Sequence, residues 1–326
     1  MKSYERFLIP HVSNHIDRVL KKLDLVPDIM PEAFIKAHEG RKHRYATSAT
    51  NTKTGKSVIF YARLHNNEDA RNKFAQDVRI LDKLSRGHYL LSHSVPNIYS
   101  YSLRKGREWL VRENLIQPCM GNTYQTKIHP TKKQVPQFVK LFHALQTLPT
   151  IPHHHYERRD ADFFLQISEG NLRQIKFLFS PSERAQTISH LHAAYSRIQS
   201  ETKHLVHGDC HPGNILIGPR RLFVIDWETT QKNLRTTDIG YFYLSLSSEP
   251  SFRREFLRSL YRHITWKKQL REFFPLSALF FALNHLYALS LNPTKELSLK
   301  EKRAVMTFAQ AVVKNAAKGY TAFECL

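Results

Sequence analysis

The chain is poor in cysteine: it has three in 326 residues, at positions 119, 210 and 325. Their spacing matches no metal-ligating motif, and three thiols cannot staple a chain of this length, so a disulfide scaffold is excluded and a reduced, cytoplasmic setting is the expectation. Glycine is scarce too, at 11 residues, and no GxGxxG is present; between Phe34 and Val58 only Gly40 and Gly55 occur. Acidic residues are outnumbered, 28 against 49 Lys and Arg, which leaves a formal charge of +21. No stretch reads as a span of about 20 apolar residues. The most apolar, Pro275 to Asn292, is interrupted by Asn284 and His285 and reads as a buried helix. The opening residues are charged and broken by Pro10 and Asn14, so no signal peptide is expected.

What is present fits a globular protein: 41% apolar and 24% charged residues. The positive charge is spread along the chain, +9 over residues 1–118 and +12 over 119–326. Small clusters recur at Arg41-Lys42-His43-Arg44, Arg104-Lys105 with Arg107, Arg253-Arg254 with Arg258, and Lys267-Lys268 with Arg271. Such a field attracts phosphate-rich partners. No zinc-finger spacing, RNA-binding signature or glycine-arginine tract points to a dedicated nucleic-acid role. His153-His154-His155 lies in an expected loop, where adjacent side chains rarely converge on one ion.

Apolar periodicity divides the chain. Residues 12–26 read as an amphipathic helix, followed after Pro27 and Pro31 by strand-like segments at 34–38, 45–50 and 57–63. A helix over 69–84 and strands over 97–103 and 108–114 complete a strand-rich half. Beyond a composition shift near 115–122 the chain is mainly helical, with helices expected over 135–148, 183–199, 251–264, 276–290 and 300–318. The fold class is therefore α+β, with residues 1–117 (including the helical extension 12–26) and 118–326 as the two domains.

One run carries chemistry. His207-Gly208-Asp209-Cys210-His211-Pro212-Gly213-Asn214 is a tight polar loop between short apolar runs. A turn at Gly218-Pro219 then returns the chain along Leu222-Phe223-Val224-Ile225 to Asp226-Trp227-Glu228. Two acids and a carboxamide on so short a frame suit a divalent cation and a phosphate, and hard oxygen donors favour Mg²⁺ or Mn²⁺ over a soft metal.

The pair HGDxHPGN and IDWE resembles the aminoglycoside phosphotransferase and choline kinase superfamily, the small-molecule branch of the protein-kinase-like fold. The resemblance covers about residues 30–320 and implies a bilobal architecture, with a hinge within Val111 to Gly121. It implies an ATP- and Mg²⁺-dependent kinase in which Asp209 accepts or orients the hydroxyl proton, while Asn214 and Asp226 hold the metal. It gives His207 and His211 the bracing of the catalytic loop 207–214, and gives Glu228 a share in ordering the metal segment 225–228. Asp238, in Thr237-Asp238-Ile239-Gly240, fixes the loop from beneath. The lysine usual at the end of an N-lobe strand, and its glutamate partner on the next helix, are replaced by Arg63 and Asp77, which form the expected nucleotide-anchoring pair.

The acceptor is not set by these motifs. The basic composition, with residues 251–272 rich in Arg and Lys, favours a neutral or anionic hydroxyl compound over an aminoglycoside or choline. Asp160, Asp162, Glu169 and Glu183 keep the cationic acceptor open as an alternative. A weakly active or inactive kinase-like protein, binding nucleic acid or another acidic partner through its basic surface, is the second alternative.

Overall fold

The computed structural model describes residues 8–9, 11–38, 42–87, 89–148, 150, 156–291 and 296–317. The His153–His155 run and Cys325 lie outside them. Contacts divide the chain into two units: residues up to Ile116 with Asp226–Thr229, and Gln117–Ile225 with Thr230 onward. The segment 225–228, placed by sequence in the helical half, is therefore split, with Ile225 in the second unit and Asp226 in the first.

The first unit runs α1 (Val12–Lys22), β1 (Leu25–Pro27), α2 (Pro31–Ala37), β2 (Arg44–Asn51), β3 (Ser57–Arg63), α3 (Glu68–Arg86), β4 (Ile98–Ser102) and β5 (Trp109–Glu113). The strands form one antiparallel sheet in the order β1-β2-β3-β5-β4. Alternation along β2 and β3 sends Tyr45, Ala49, Val58, Phe60 and Ala62 to one face, where they join Ile16 and Leu20 of α1 and Phe34 of α2 in a buried cluster. Arg44, Ala46 and Tyr61 occupy the opposite face. The Asn67 side chain caps α3 by accepting the amides of Asp69 and Ala70.

Two expectations fail here. Residues 34–37 are helical and His38 caps them, because Pro31 at the first helical position starts a turn that lets Phe34 reach Tyr45 at 5.2 Å between ring centres. The helix expected over 12–26 ends at Lys22: Asp24 adopts φ +54°, and Leu25–Pro27 leave to pair with β2.

The second unit contains α4 (Val135–Leu145), α5 (Ala161–Gln174), α6 (Pro181–Ala193) and α7 (Tyr195–Glu201). Four short strands follow, β6 (His204–Val206), β7 (Ile215–Ile217), β8 (Leu222–Val224) and β9 (Gln231–Asn233). They pair as β6–β9 and β7–β8, both antiparallel. The helices α8 (Thr237–Ser245), α9 (Pro250–His263), α10 (Lys267–Leu291) and α11 (Leu299–Ala317) close the unit. The single helix expected over 183–199 breaks at Ala194 into α6 and α7. Rings from α4, α8 and α9 make the core: Phe138 stacks on Phe242, and Phe142 and Phe256 pack around the same ring. Gly240 lets α8 approach α10, since a Cβ there would lie 2.7 Å from the Ser277 Cβ.

Helix α10 begins nine residues before the expected start and carries Pro275 within it. At 25 residues it is long and apolar enough to cross a membrane by composition alone, so the argument from shortness fails. Burial replaces it: 67% of its most apolar window is packed inside the protein, the behaviour of a core helix.

Candidate functional site

In the second unit, β6 leads into the loop His207–Asn214 and the β7–β8 hairpin brings the chain back to Ile225. The loop is fastened from below by Asp238, in the first turn of α8. Its two carboxylate oxygens accept the backbone amides of His207 and Gly208, each at 2.9 Å, and the residue is fully buried. Burial pushes the Asp238 carboxyl pKa up, and His207 and the two amides oppose that shift. Gly208 has φ +84°, a left-handed conformation that glycine adopts freely at this turn.

His207 is also fully buried, and its contacts fix a tautomer. Nε2 lies 3.1 Å from the Ile225 carbonyl, which only accepts, so the proton is on Nε2; Nδ1 then accepts the Asp209 amide at 3.3 Å. Asn214 donates Nδ2 to the Asp209 carbonyl at 2.9 Å and to its Oδ2 at 3.1 Å. The donating group is thus Nδ2, and the amide oxygen of Asn214 is the atom of its side chain able to ligate a cation. His211 Nδ1 accepts the Gly213 amide, and its Nε2 stands 3.5 Å from Asp209 Oδ2. The Asp209 carboxylate keeps 30% exposure. Two further groups reach it. Tyr241 of α8 shares a hydrogen bond with it, and burial followed by the Asp209 charge drives the Tyr241 pKa well up. Arg159 couples to it electrostatically. Cys210 beside it is buried, and desolvation holds its thiol protonated.

In the first unit, Asp77 of α3, Asp226 and Glu228 gather around Arg44 of β2. The Arg44 guanidinium lies 3.1 Å from Glu228 Oε2 and 3.7 Å from Asp226 Oδ1. Burial works against its charge, but Glu228, Asp226 and Asp77 together hold its pKa above the ordinary arginine value. Asp77 is raised by burial first and by the Asp226 charge second. Glu228 is likewise raised by burial, with Asp226 and Asp77 adding to the shift. Arg44 is the cation common to the three carboxylates, while Lys73 also couples to Glu228 and Arg112 to Asp77. Asp77 Oδ1 accepts the Trp227 amide at 3.0 Å, and Gln76 donates to the Glu228 carbonyl at 2.8 Å, so α3 grips the segment on both sides. Asp226 has φ +69°, a conformation that costs an L-residue about 1–2 kcal/mol and that aspartate tolerates better than most.

The expected Arg63–Asp77 pair does not form. Arg63 is 3% exposed and turns away to Glu108, 3.3 Å from its Oε1, and to the His65 carbonyl. The reason is electrostatic: the Glu108 side chain is fully buried and takes Arg63 and Arg71 as counter-ions. Asp77 is satisfied by the Trp227 amide and Arg44 instead. The cation that sequence reasoning placed at Arg63 is supplied across the strand pair by Arg44, whose register partner is Arg63. Arg44 stood in the basic run 41–44, but no motif marks it; only strand register brings it to Asp226. Tyr241 was visible in the sequence as one of several aromatics, with nothing to single it out.

Beside Arg44 lies a cavity of about 610 Å³, to which Lys42, His43, Arg44, Tyr61, Lys73 and Glu228 contribute. Its size and its cations suit a phosphate-bearing small molecule. Among the described residues, no three His, Cys, Asp or Glu side chains converge on one point as a metal cage. In the first unit the Asp226 and Glu228 carboxylates, and in the second unit, taken by itself, the Asn214 amide oxygen, are hard oxygen donors. They fit magnesium, which keeps several waters and takes few protein ligands.

Comparison with known proteins identifies the family and the fold. The sequence model of the phosphotransferase enzyme family matches residues 37–269. No curated protein matches the chain in sequence. Among solved structures, aminoglycoside 2'-phosphotransferase-IIIa in its GDP complex is similar, with a TM-score of 0.58 at 12% identity over 95% of this chain and 98% of that one. Macrolide 2'-phosphotransferase MphH from Brachybacterium faecium gives 0.55 at 15% identity over 93% and 98%. Choline kinase LicA from Streptococcus pneumoniae gives 0.52 at 14% over 93% and 99%. At these identities the structures establish a shared fold, bilobal and kinase-like. The family match covers well over half of the sequence, and the chain belongs to the phosphotransferase enzyme family.

Proposed function

We propose that the chain transfers the terminal phosphoryl group of ATP to a hydroxyl of a small neutral or anionic metabolite, with Asp209 as the group that takes or orients the hydroxyl proton. The observation that carries this reading is the loop itself. A partly exposed carboxylate is held on a frame whose every support (Asp238, His207, Asn214, Tyr241) is buried or hydrogen-bonded. Phosphoryl transfer asks the protein for alignment and charge neutralisation more than covalent chemistry, and a rigid carboxylate supplies the first.

Within the second unit, Asn214 is the candidate metal ligand through its amide oxygen. Within the first unit, Asp226 is the ligand, with Glu228 ordering its surroundings. Bound magnesium would neutralise phosphate charge. Arg44 takes the role expected of Arg63: its forked guanidinium lines the phosphate-sized cavity and is free to exchange the carboxylates for phosphate oxygens. Two charged side chains outside the loop couple to Asp209: Asp238, whose oxygens are taken by the loop amides, and the cation Arg159, which favours a neutral or anionic acceptor over a cationic one.

The test is magnesium-dependent ATP turnover across pooled sugars, sugar phosphates, nucleosides, aminoglycosides and choline. Turnover should rise with one pool of neutral or anionic compounds and vanish in Asp209→Asn. Arg44→Ala should weaken ATP about 10- to 100-fold, the value of one hydrogen bond to a charged group. Turnover that survives Asp209→Asn would remove the base assignment. Unchanged ATP affinity in Arg44→Ala would move the phosphates elsewhere, and a response confined to aminoglycosides or choline would refute the acceptor class.

A further inference from the structure

A second cavity, of about 530 Å³, opens in the first unit between α1 and the β4–β5 edge, and it belongs to none of the chemistry above. Five basic side chains line it: His15, Arg18 and Lys22 from α1, and Arg104 and Arg107 from the turn joining β4 to β5. No carboxylate lines it among the described residues. The acid that couples to His15, Glu108, is fully buried and already engaged by Arg63 and Arg71. Among the described residues Arg18 makes one side-chain hydrogen bond, to the Asn14 carbonyl of its own helix, and no ion pair.

We propose that this cavity is a binding site for a ligand carrying several phosphate groups, separate from the site of phosphoryl transfer. Spacing supports it. Positions 15, 18 and 22 are three and four residues apart, so they share one face of α1, and that face looks onto the turn that carries Arg104 and Arg107. Like charges are brought together here by two separate elements, an arrangement that destabilises the empty protein unless an anion joins it. His15 records the field: its pKa is lowered, by burial first and then by Arg107 and Arg18, and its Nε2 is buried without a partner. Val19, Leu23 and Trp109 add apolar wall to the same cavity, which lowers the local dielectric and strengthens charge-assisted hydrogen bonds. The volume admits a compact polyphosphate or a phosphorylated headgroup rather than an extended polymer.

The measurement is calorimetric titration of the full-length protein with inorganic triphosphate at low salt. Three proteins are compared: wild type, Arg18→Ala/Lys22→Ala/Arg107→Ala, and a control of equal charge loss in the second unit, Lys132→Ala/Lys133→Ala/Arg254→Ala. All six positions are exposed, so folding is expected to survive. The cavity variant should lose one class of triphosphate site, with affinity falling about tenfold or more, while ATP turnover stays at the wild-type value. The control should bind as wild type does. Equal weakening in both variants would mean a diffuse field and would overturn the proposal, as would wild-type binding by the cavity variant. Sedimentation with phosphatidate-containing vesicles identifies the source. Capture by wild type and not by the cavity variant assigns a lipid headgroup, and no capture by either, with the calorimetric difference intact, assigns a soluble phosphate.

Discussion

Replacing Asp238 by Asn separates the support of the Asp209 loop from the chemistry proposed for it. The native carboxylate accepts two amides at 2.9 Å in a site without solvent. An asparagine keeps one accepting oxygen and points an NH₂ at the second amide, so one charge-assisted bond is lost and one backbone N–H is left facing a donor. A hydrogen bond to a charged group contributes about 1.5–3 kcal/mol, and the orphaned donor about 1–3. The two overlap, and the variant no longer buries a charge, so a net loss of about 2 kcal/mol is expected. For a unit of this size that lowers its melting temperature by roughly 4–8 °C. The larger consequence is kinetic. His207 and Gly208 immediately precede Asp209, and a misplacement of about 1 Å at the reacting group costs on the order of a hundredfold. Denaturation monitored by circular dichroism, run beside steady-state turnover, should show a moderate fall in stability and a large fall in kcat. The KM for ATP should hold, because Arg44 and its cavity are untouched. A variant that melts with wild type and turns over at the wild-type rate would refute the reasoning outright.

Two further perturbations test particular residues. Arg63→Met should strip Glu108 of a buried counter-ion and lower stability by about 3–5 kcal/mol, with Arg63→Met/Glu108→Leu recovering most of it in the same denaturant titration. ATP affinity of the folded single variant should stay within about twofold of wild type, and a tenfold fall would restore Arg63 as the nucleotide anchor. His285 is buried with both ring nitrogens unpartnered, and desolvation followed by the charge of His211 lowers its pKa from 6.5 to about 4. The unfolded chain therefore takes up a proton that the native protein refuses as pH falls from 6.5 towards 4. Stability present above pH 6.5 is lost across that window, by about 3 kcal/mol. His285→Leu should flatten that acid limb in urea titrations between pH 7 and 4, and an unchanged slope would assign it to other groups.

The loop motif and the return to Asp226 were legible in the sequence because their spacing is local. A turn between two short strands brings Asp209 and Asn214 together however the rest of the chain folds, and the family followed from those residues. The long helices were legible as well, since α3, α9 and α11 keep an apolar stripe at helical spacing. Local pattern misled where tertiary contacts chose between near-equal alternatives, as at residues 34–38, where docking Phe34 on Tyr45 outweighed the strand-like composition. The length of α10 was hidden by Pro275, which the helix carries between buried residues, Phe273 and Phe274 before it and Leu276 and Ser277 after it.

The sequence by itself determined the family, the chemistry of the loop and the identity of the carboxylates, because each is a property of residues adjacent in the chain. Tertiary structure alone decided which cation serves those carboxylates. Arg63 and Arg44 are paired across two strands, and only the fully buried charge of Glu108 draws one of them aside and leaves the other to face Asp226. That choice depends on burial and on distances between residues far apart in sequence, which no motif encodes.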